Sequence, residues 1–137
     1  MSGLVAYGVL VQTLISLDGF GTSDATVASI RAGGSEIAAM RIGPAGDVRT
    51  ADQAPGRNSA GSVVANVWYD VTLDVDTGSR MLALAVSMHD RHEVVSDQSS
   101  LRWTGLLGDG IDRVCFAPPA GVGGRSLYVS ELRVTTR

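Results

Sequence analysis

In the stretch Trp68-Tyr69-Asp70-Val71-Thr72-Leu73-Asp74-Val75-Asp76-Thr77-Gly78-Ser79-Arg80-Met81-Leu82-Ala83-Leu84-Ala85-Val86, apolar and polar residues alternate. Tyr69, Val71, Leu73 and Val75 fall on one side of a two-residue period, with Asp70, Thr72 and Asp74 on the other. After an Asp-Thr-Gly turn the alternation resumes at Leu82, Leu84, Val86 and Met88. Successive side chains of a strand point to opposite faces, so this is a hairpin with one dry and one wet face. Such hairpins are the building unit of an antiparallel sandwich.

The rest of the chain repeats the same theme. Residues 7–17 predict a strand with Tyr7, Val9, Val11 and Ile15 on one face, while Leu10 and Leu14 indicate partial cover on the other. Residues 26–32 and 36–42 predict a hairpin closed by Gly33-Gly34, followed by a turn over 43–47 and a short strand over 48–50. The polar run 51–61, with Pro55, Gly56 and Gly61, is expected to be a long loop. Beyond the central hairpin, 90–100 is polar and only Val94-Val95 promises a short strand, whereas 101–107 is ambiguous. Residues 111–117 and 126–135 predict the last strands, separated by a Pro- and Gly-rich loop that includes Gly121-Val122-Gly123-Gly124. That loop precedes no helix, which argues against a phosphate cradle. No segment keeps a 3.6-residue period, so no substantial helix is expected. Turns every 8–12 residues indicate an all-β sandwich.

The bulk properties fit one domain. The chain has 137 residues, 45% of them hydrophobic and 18% charged, with 17 glycines. A chain this long buries roughly two-thirds of its unfolded surface. Its basic residues number 11 and all are arginine, which points to a GC-rich coding sequence. The net charge is −3 and the arginines are spread from Arg31 to Arg137, so no basic stripe is available for nucleic acid. No apolar run approaches the ~20 residues needed to span a bilayer, and residues 1–21 lack the basic region and cleavage pattern of a secretory signal. Cys115 is the one cysteine, excludes an intrachain disulfide, and reads as a small buried hydrophobe in Val114-Cys115-Phe116.

Several motifs together carry a family resemblance. Trp68-Tyr69-Asp70-Val71, the Asp76-Thr77-Gly78 turn, Ile111-Asp112-Arg113-Val114-Cys115-Phe116 and Leu127-Tyr128-Val129-Ser130-Glu131-Leu132-Arg133-Val134 form one set. With Glu36-Ile37-Ala38 and Arg41-Ile42-Gly43, the pattern over about residues 5–135 resembles the laminin-G/concanavalin A-like jelly-roll superfamily. The resemblance implies a two-sheet antiparallel jelly roll, often an accessory module of secreted or cell-surface proteins. Members bind carbohydrate, bind protein, or cleave glycans. Ser130-Glu131 departs from the paired acids common on the equivalent strand, while Asp18, Asp24 and Glu131 are acids that the fold could bring to a calcium site.

Each chemically suggestive cluster competes with a bland alternative. Asp70, Asp74 and Asp76 share a strand face, but Asp70 and Asp74 stand about 13 Å apart by strand rise, too far for a glycosidase pair. Asp74 and Asp76, at about 6–7 Å, are nearer, yet they match an exposed face ending in an Asp-x-Gly turn. His89 and His92, with Asp90 and Glu93, form the histidine cluster but lack a third ligand at standard spacing. Asp109 and Asp112, in Gly108-Asp109-Gly110-Ile111-Asp112, suit Ca²⁺ because acidic side chains in a glycine turn supply oxygen ligands. Trp68 is expected in the core or at its rim. Trp103, beside Arg102 after a polar loop, is the expected sugar-stacking platform.

These features predict a non-catalytic recognition module for a glycan or a protein surface, outside the cell. A small glycan hydrolase or lyase using Asp74 or Asp76 is the enzymatic alternative. A third alternative is a self-associating structural protein, since terminal strands offer edges for a homodimer.

Overall fold

The computed structural model describes residues 7–21, 25–50, 61–103, 108, 110–119 and 126–136. They form β-strands and connecting turns, with no helix among them. The strands are β1 (Gly8–Leu17), β2 (Ala25–Ala32), β3 (Ser35–Ile42), β4 (Val48–Thr50), β5 (Tyr69–Asp76), β6 (Met81–Met88), β7 (Glu93–Arg102), β8 (Arg113–Phe116) and β9 (Leu127–Thr136). They build two antiparallel sheets, β7-β6-β5-β1-β9 and β4-β3-β2-β8, pressed together as a sandwich.

The alternation of the central hairpin explains the packing. Tyr69, Val71, Leu73 and Val75 are at most 2% exposed, and Leu82, Leu84 and Val86 face the same way. Val9, Val11 and Ile15 of β1 join them across the register Val11↔Leu73 and Ile15↔Tyr69. The opposing sheet supplies Val27, Ile30, Ile37, Met40, Ile42 and Val48 to one continuous core. Burying each such side chain contributes on the order of 1.5–3 kcal/mol, which fixes the register because a one-residue slip would expose the whole row.

The expected Gly33-Gly34 hairpin joins β2 and β3, with Gly33 at φ 59°. The 43–47 turn is also present. Gly46 donates its N–H to the Gly43 carbonyl at 2.9 Å, and its φ is 85°. Two expectations need correction. The polar segment around Val94-Val95 is a ten-residue strand, β7, because an edge strand bonded to β6 needs apolar residues on little of its length. The strand expected over 111–117 is shorter, β8 covering Arg113–Phe116. Most of the 51–61 loop, the Gly121–Gly124 loop and residues 104–107 lie outside the described residues. Cys115 is half-buried on β8 rather than in the core.

At the other edge, β9 leaves Val129, Leu132 and Val134 between 39% and 50% exposed. The pairing with β1 shifts between Gln12 and Leu14, where Glu131 and Leu132 together oppose Thr13. This β-bulge breaks the regular row that an added strand would require.

Candidate functional site

The outer face of the five-stranded sheet is a set of transverse rows that the register defines. One row runs Ser87–Asp70–Leu14–Ser130. The next runs Asp97–Ala85–Thr72–Gln12–Arg133, and the third Ala83–Asp74–Leu10–Thr135. Alanine and serine on β6 keep this face low, whereas β5 and β9 raise longer polar chains on either side of β1. Between them lies a groove of about 660 Å³, lined among others by Gln12, Leu14, Asp70, Thr72, Glu131 and Arg133. That volume lies in the ordinary range of small-molecule sites, about 300–1,000 Å³.

The bulge shapes one wall. Glu131 is a non-glycine residue held at φ 52°, a conformation uncommon for L side chains. The Thr13 hydroxyl fastens it by donating to the Ser130 carbonyl at 2.9 Å. Local strain of this kind gathers where a side chain must be re-aimed, and here it brings Glu131 and Leu132 to the groove.

Above the Leu14 row the face turns aromatic. Tyr128 pairs with Ser16 across β1–β9 and is 53% exposed. Trp68 immediately precedes β5 and is 40% exposed. Two half-exposed rings thus stand near the Ser16 end of β1, Tyr128 directly opposite that serine and Trp68 next to Tyr69, the partner of Ile15. His89 adjoins Trp68, its N–H donating to the Trp68 carbonyl at 3.0 Å. Its ring Nδ1 lies 3.1 Å from Asp70 Oδ2, joining the aromatic end to the polar rows.

The residues singled out from sequence occupy different places. Trp103 is 1% exposed and belongs to the core, so the expected open stacking platform is corrected. Its indole N–H donates to the Asp76 carbonyl at 3.3 Å, and the Arg80 guanidinium covers its ring 4.5 Å from the centroid. A ring sealed on both faces leaves a sugar nothing to stack on. Arg102 is exposed at the end of β7, opposite Met81. Trp68, expected in the core or at its rim, is at the rim. Asp112 accepts the Gly33 N–H at 3.1 Å and lies 3.6 Å from Arg113 Nε, so it braces the β2–β3 turn. Asp109 lies outside the described residues. Among the described residues no group of three or more His, Cys, Asp or Glu side chains converges as a metal site. Asp76 caps the β5–β6 turn, accepting the N–H groups of Gly78 and Ser79. His92 is exposed at φ 51°, and His89 takes Asp70 rather than a second imidazole as its partner.

Sequence reasoning missed Tyr128, Gln12 and Arg133. Their signal was present only as outward positions of strands whose pairing was unknown.

No family model and no curated protein sequence matches the chain. Solved structures do. A Trypanosoma rangeli sialidase, in complex with 2,3-difluorosialic acid as a covalent intermediate, superposes with a TM-score of 0.65 at 14% identity. The match covers 93% of this chain and 20% of the sialidase. A mutant of that sialidase displaying trans-sialidase activity gives 0.60 at 12% identity, covering 94% of this chain and 20% of the other. An alginate lyase from polysaccharide lyase family 7 gives 0.57 at 8% identity, covering 96% of this chain and 59% of the lyase. The chain therefore shares with these structures its fold, a two-sheet antiparallel β-sandwich, and it spans a fifth of the sialidases and 59% of the lyase.

Proposed function

We propose that the outer face of the five-stranded sheet is a glycan-recognition surface, in a module accessory to a secreted or cell-surface protein. The feature that carries this reading is the pair of half-exposed rings, Tyr128 opposite Ser16 and Trp68 just before β5, beyond the Leu14 end of the groove lined by Gln12, Asp70 and Arg133. Sugars present apolar C–H faces and a rim of hydroxyls. Exposed aromatic rings satisfy the first, and amide, hydroxyl, carboxylate and guanidinium groups satisfy the second. Gln12, Thr72, Asp70 and Arg133 offer such groups within three adjacent strands. A protein-binding interface would call for a larger apolar centre than Leu14 and Leu132 provide. The sialidase and the lyase that share the fold act, by name, on glycans, which supports the same reading.

Affinity electrophoresis and calorimetry against a polysaccharide panel test it. The folded protein is expected to bind at least one polysaccharide, with Trp68→Ala and Tyr128→Ala each losing most of the affinity while keeping the β-type circular-dichroism spectrum. Retention of full affinity by both variants would refute the site.

Glycan cleavage is the second reading, favoured by one observation. Asp70 and Glu131 line the same groove from β5 and β9, on either side of β1. Their backbones stand two strand spacings apart, about 10 Å, from which carboxyl groups can converge to the roughly 5–9.5 Å of glycosidase pairs. Release of reducing ends, abolished in both Asp70→Asn and Glu131→Gln, would establish it.

A further inference from the structure

The charge pattern of the groove carries a statement about substrate class, resting on the glycan reading above. Across the three rows centred on Leu14, Gln12 and Leu10, the outer face carries the carboxylates Asp70, Asp74 and Asp97, and Glu131 stands in the bulge beside them. Arg133 is the one cation among the described residues of those rows. Asp70 has His89 as a neighbour, but it and Glu131 both line the groove that Arg133 enters. We propose that this groove selects uncharged, hydroxyl-rich glycan chains and rejects polyuronates.

The physical reason is that carboxylates accept hydrogen bonds from sugar hydroxyls, and such charge-assisted bonds are stronger than neutral ones. The same oxygens repel the carboxylate that each uronic-acid unit carries. One guanidinium cannot neutralise a chain whose charges repeat along a face lined by acids on both walls. Like charges at groove distances in partly screened solvent oppose binding by a factor on the order of tenfold per close pair. The selectivity therefore differs from what likeness to an alginate lyase would imply, although the fold is shared.

The test uses the whole chain and two ligand classes, soluble neutral glucans, xylans and mannans against sodium alginate and polygalacturonate. Each is titrated at low and at physiological ionic strength. The expected result is binding of a neutral polymer with little salt dependence, and polyuronate binding at least about tenfold weaker. Weak polyuronate binding should strengthen when salt screens the repulsion. It should also strengthen severalfold at low salt in Glu131→Gln, which keeps the hydrogen-bonding shape and removes the charge. Polyuronate binding equal to or tighter than neutral binding, weakened by salt, would overturn the selectivity while leaving glycan recognition standing. Failure of the folded protein to bind any polymer of either class would overturn both.

Discussion

The hydroxyl of Thr13 reaches across from β1 to the carbonyl of Ser130 on β9, 2.9 Å away, and pins the bulge that brings Glu131 to the groove. Thr13 is itself 5% exposed, on the dry side of the sheet. A core-side hydrogen bond thus sets the geometry of a wall on the wet side.

Removing that bond has a defined consequence. Thr13→Val, nearly isosteric, is expected to cost about 1 kcal/mol in urea unfolding, because it leaves the Ser130 carbonyl short of a partner. Glu131→Gly should behave differently. Relief of the left-handed conformation, about 1 kcal/mol, offsets the entropic cost of glycine, about 0.5–1 kcal/mol. Its stability should stay within about 0.5 kcal/mol of the parent while glycan affinity falls, which calorimetry on the same samples will show.

The two tryptophans should separate stability from binding. Trp103→Ala is expected to destabilise by about 3–5 kcal/mol, since it empties a fully enclosed site and removes the ring that Arg80 covers. Trp68→Ala, at a site 40% exposed, should cost no more than about 1 kcal/mol and instead remove glycan binding. Thermal melts paired with affinity gels distinguish the two outcomes.

Gly46→Ala should be among the most damaging single-methyl additions. Gly46 sits at φ 85°, and a Cβ there would meet the Val63 carbonyl oxygen well inside van der Waals contact, with the Phe20 ring 3.1 Å away. The backbone strain and the clash together predict a loss of at least about 2 kcal/mol, read as a lowered urea midpoint with an unchanged slope.

Asp112→Ala is expected to lower stability by about 1 kcal/mol in metal-free buffer. Its carboxylate accepts the Gly33 N–H and thereby ties the start of β8 to the β2–β3 turn. Equilibrium unfolding in the presence of a chelator measures this bracing contribution directly.

The inner rows were legible without coordinates. Tyr69, Val71, Leu73 and Val75 alternate so regularly that their burial follows from the period alone, and the same holds for Leu82, Leu84 and Val86. Strand β7 was less legible, because an edge strand needs few apolar residues and its polarity imitates a loop. Trp103 misled for a related reason. It follows a polar segment, and nothing local reveals that Arg80 and Asp76 fold back to enclose it.

The strand content, the dry faces, the Gly33-Gly34 turn and hence a two-layer sandwich follow from residue patterns alone, since these depend on neighbours two to four residues apart. Which wet-face residues share a surface depends on how the strands pair. Asp70, Gln12 and Arg133 are separated by dozens of residues in the chain, and strand order, not spacing, makes them neighbours. The pairing of Tyr128 with Ser16, and the bulge that presents Glu131, likewise exist only once β9 docks on β1, because hydrogen-bond register is a property of two strands together.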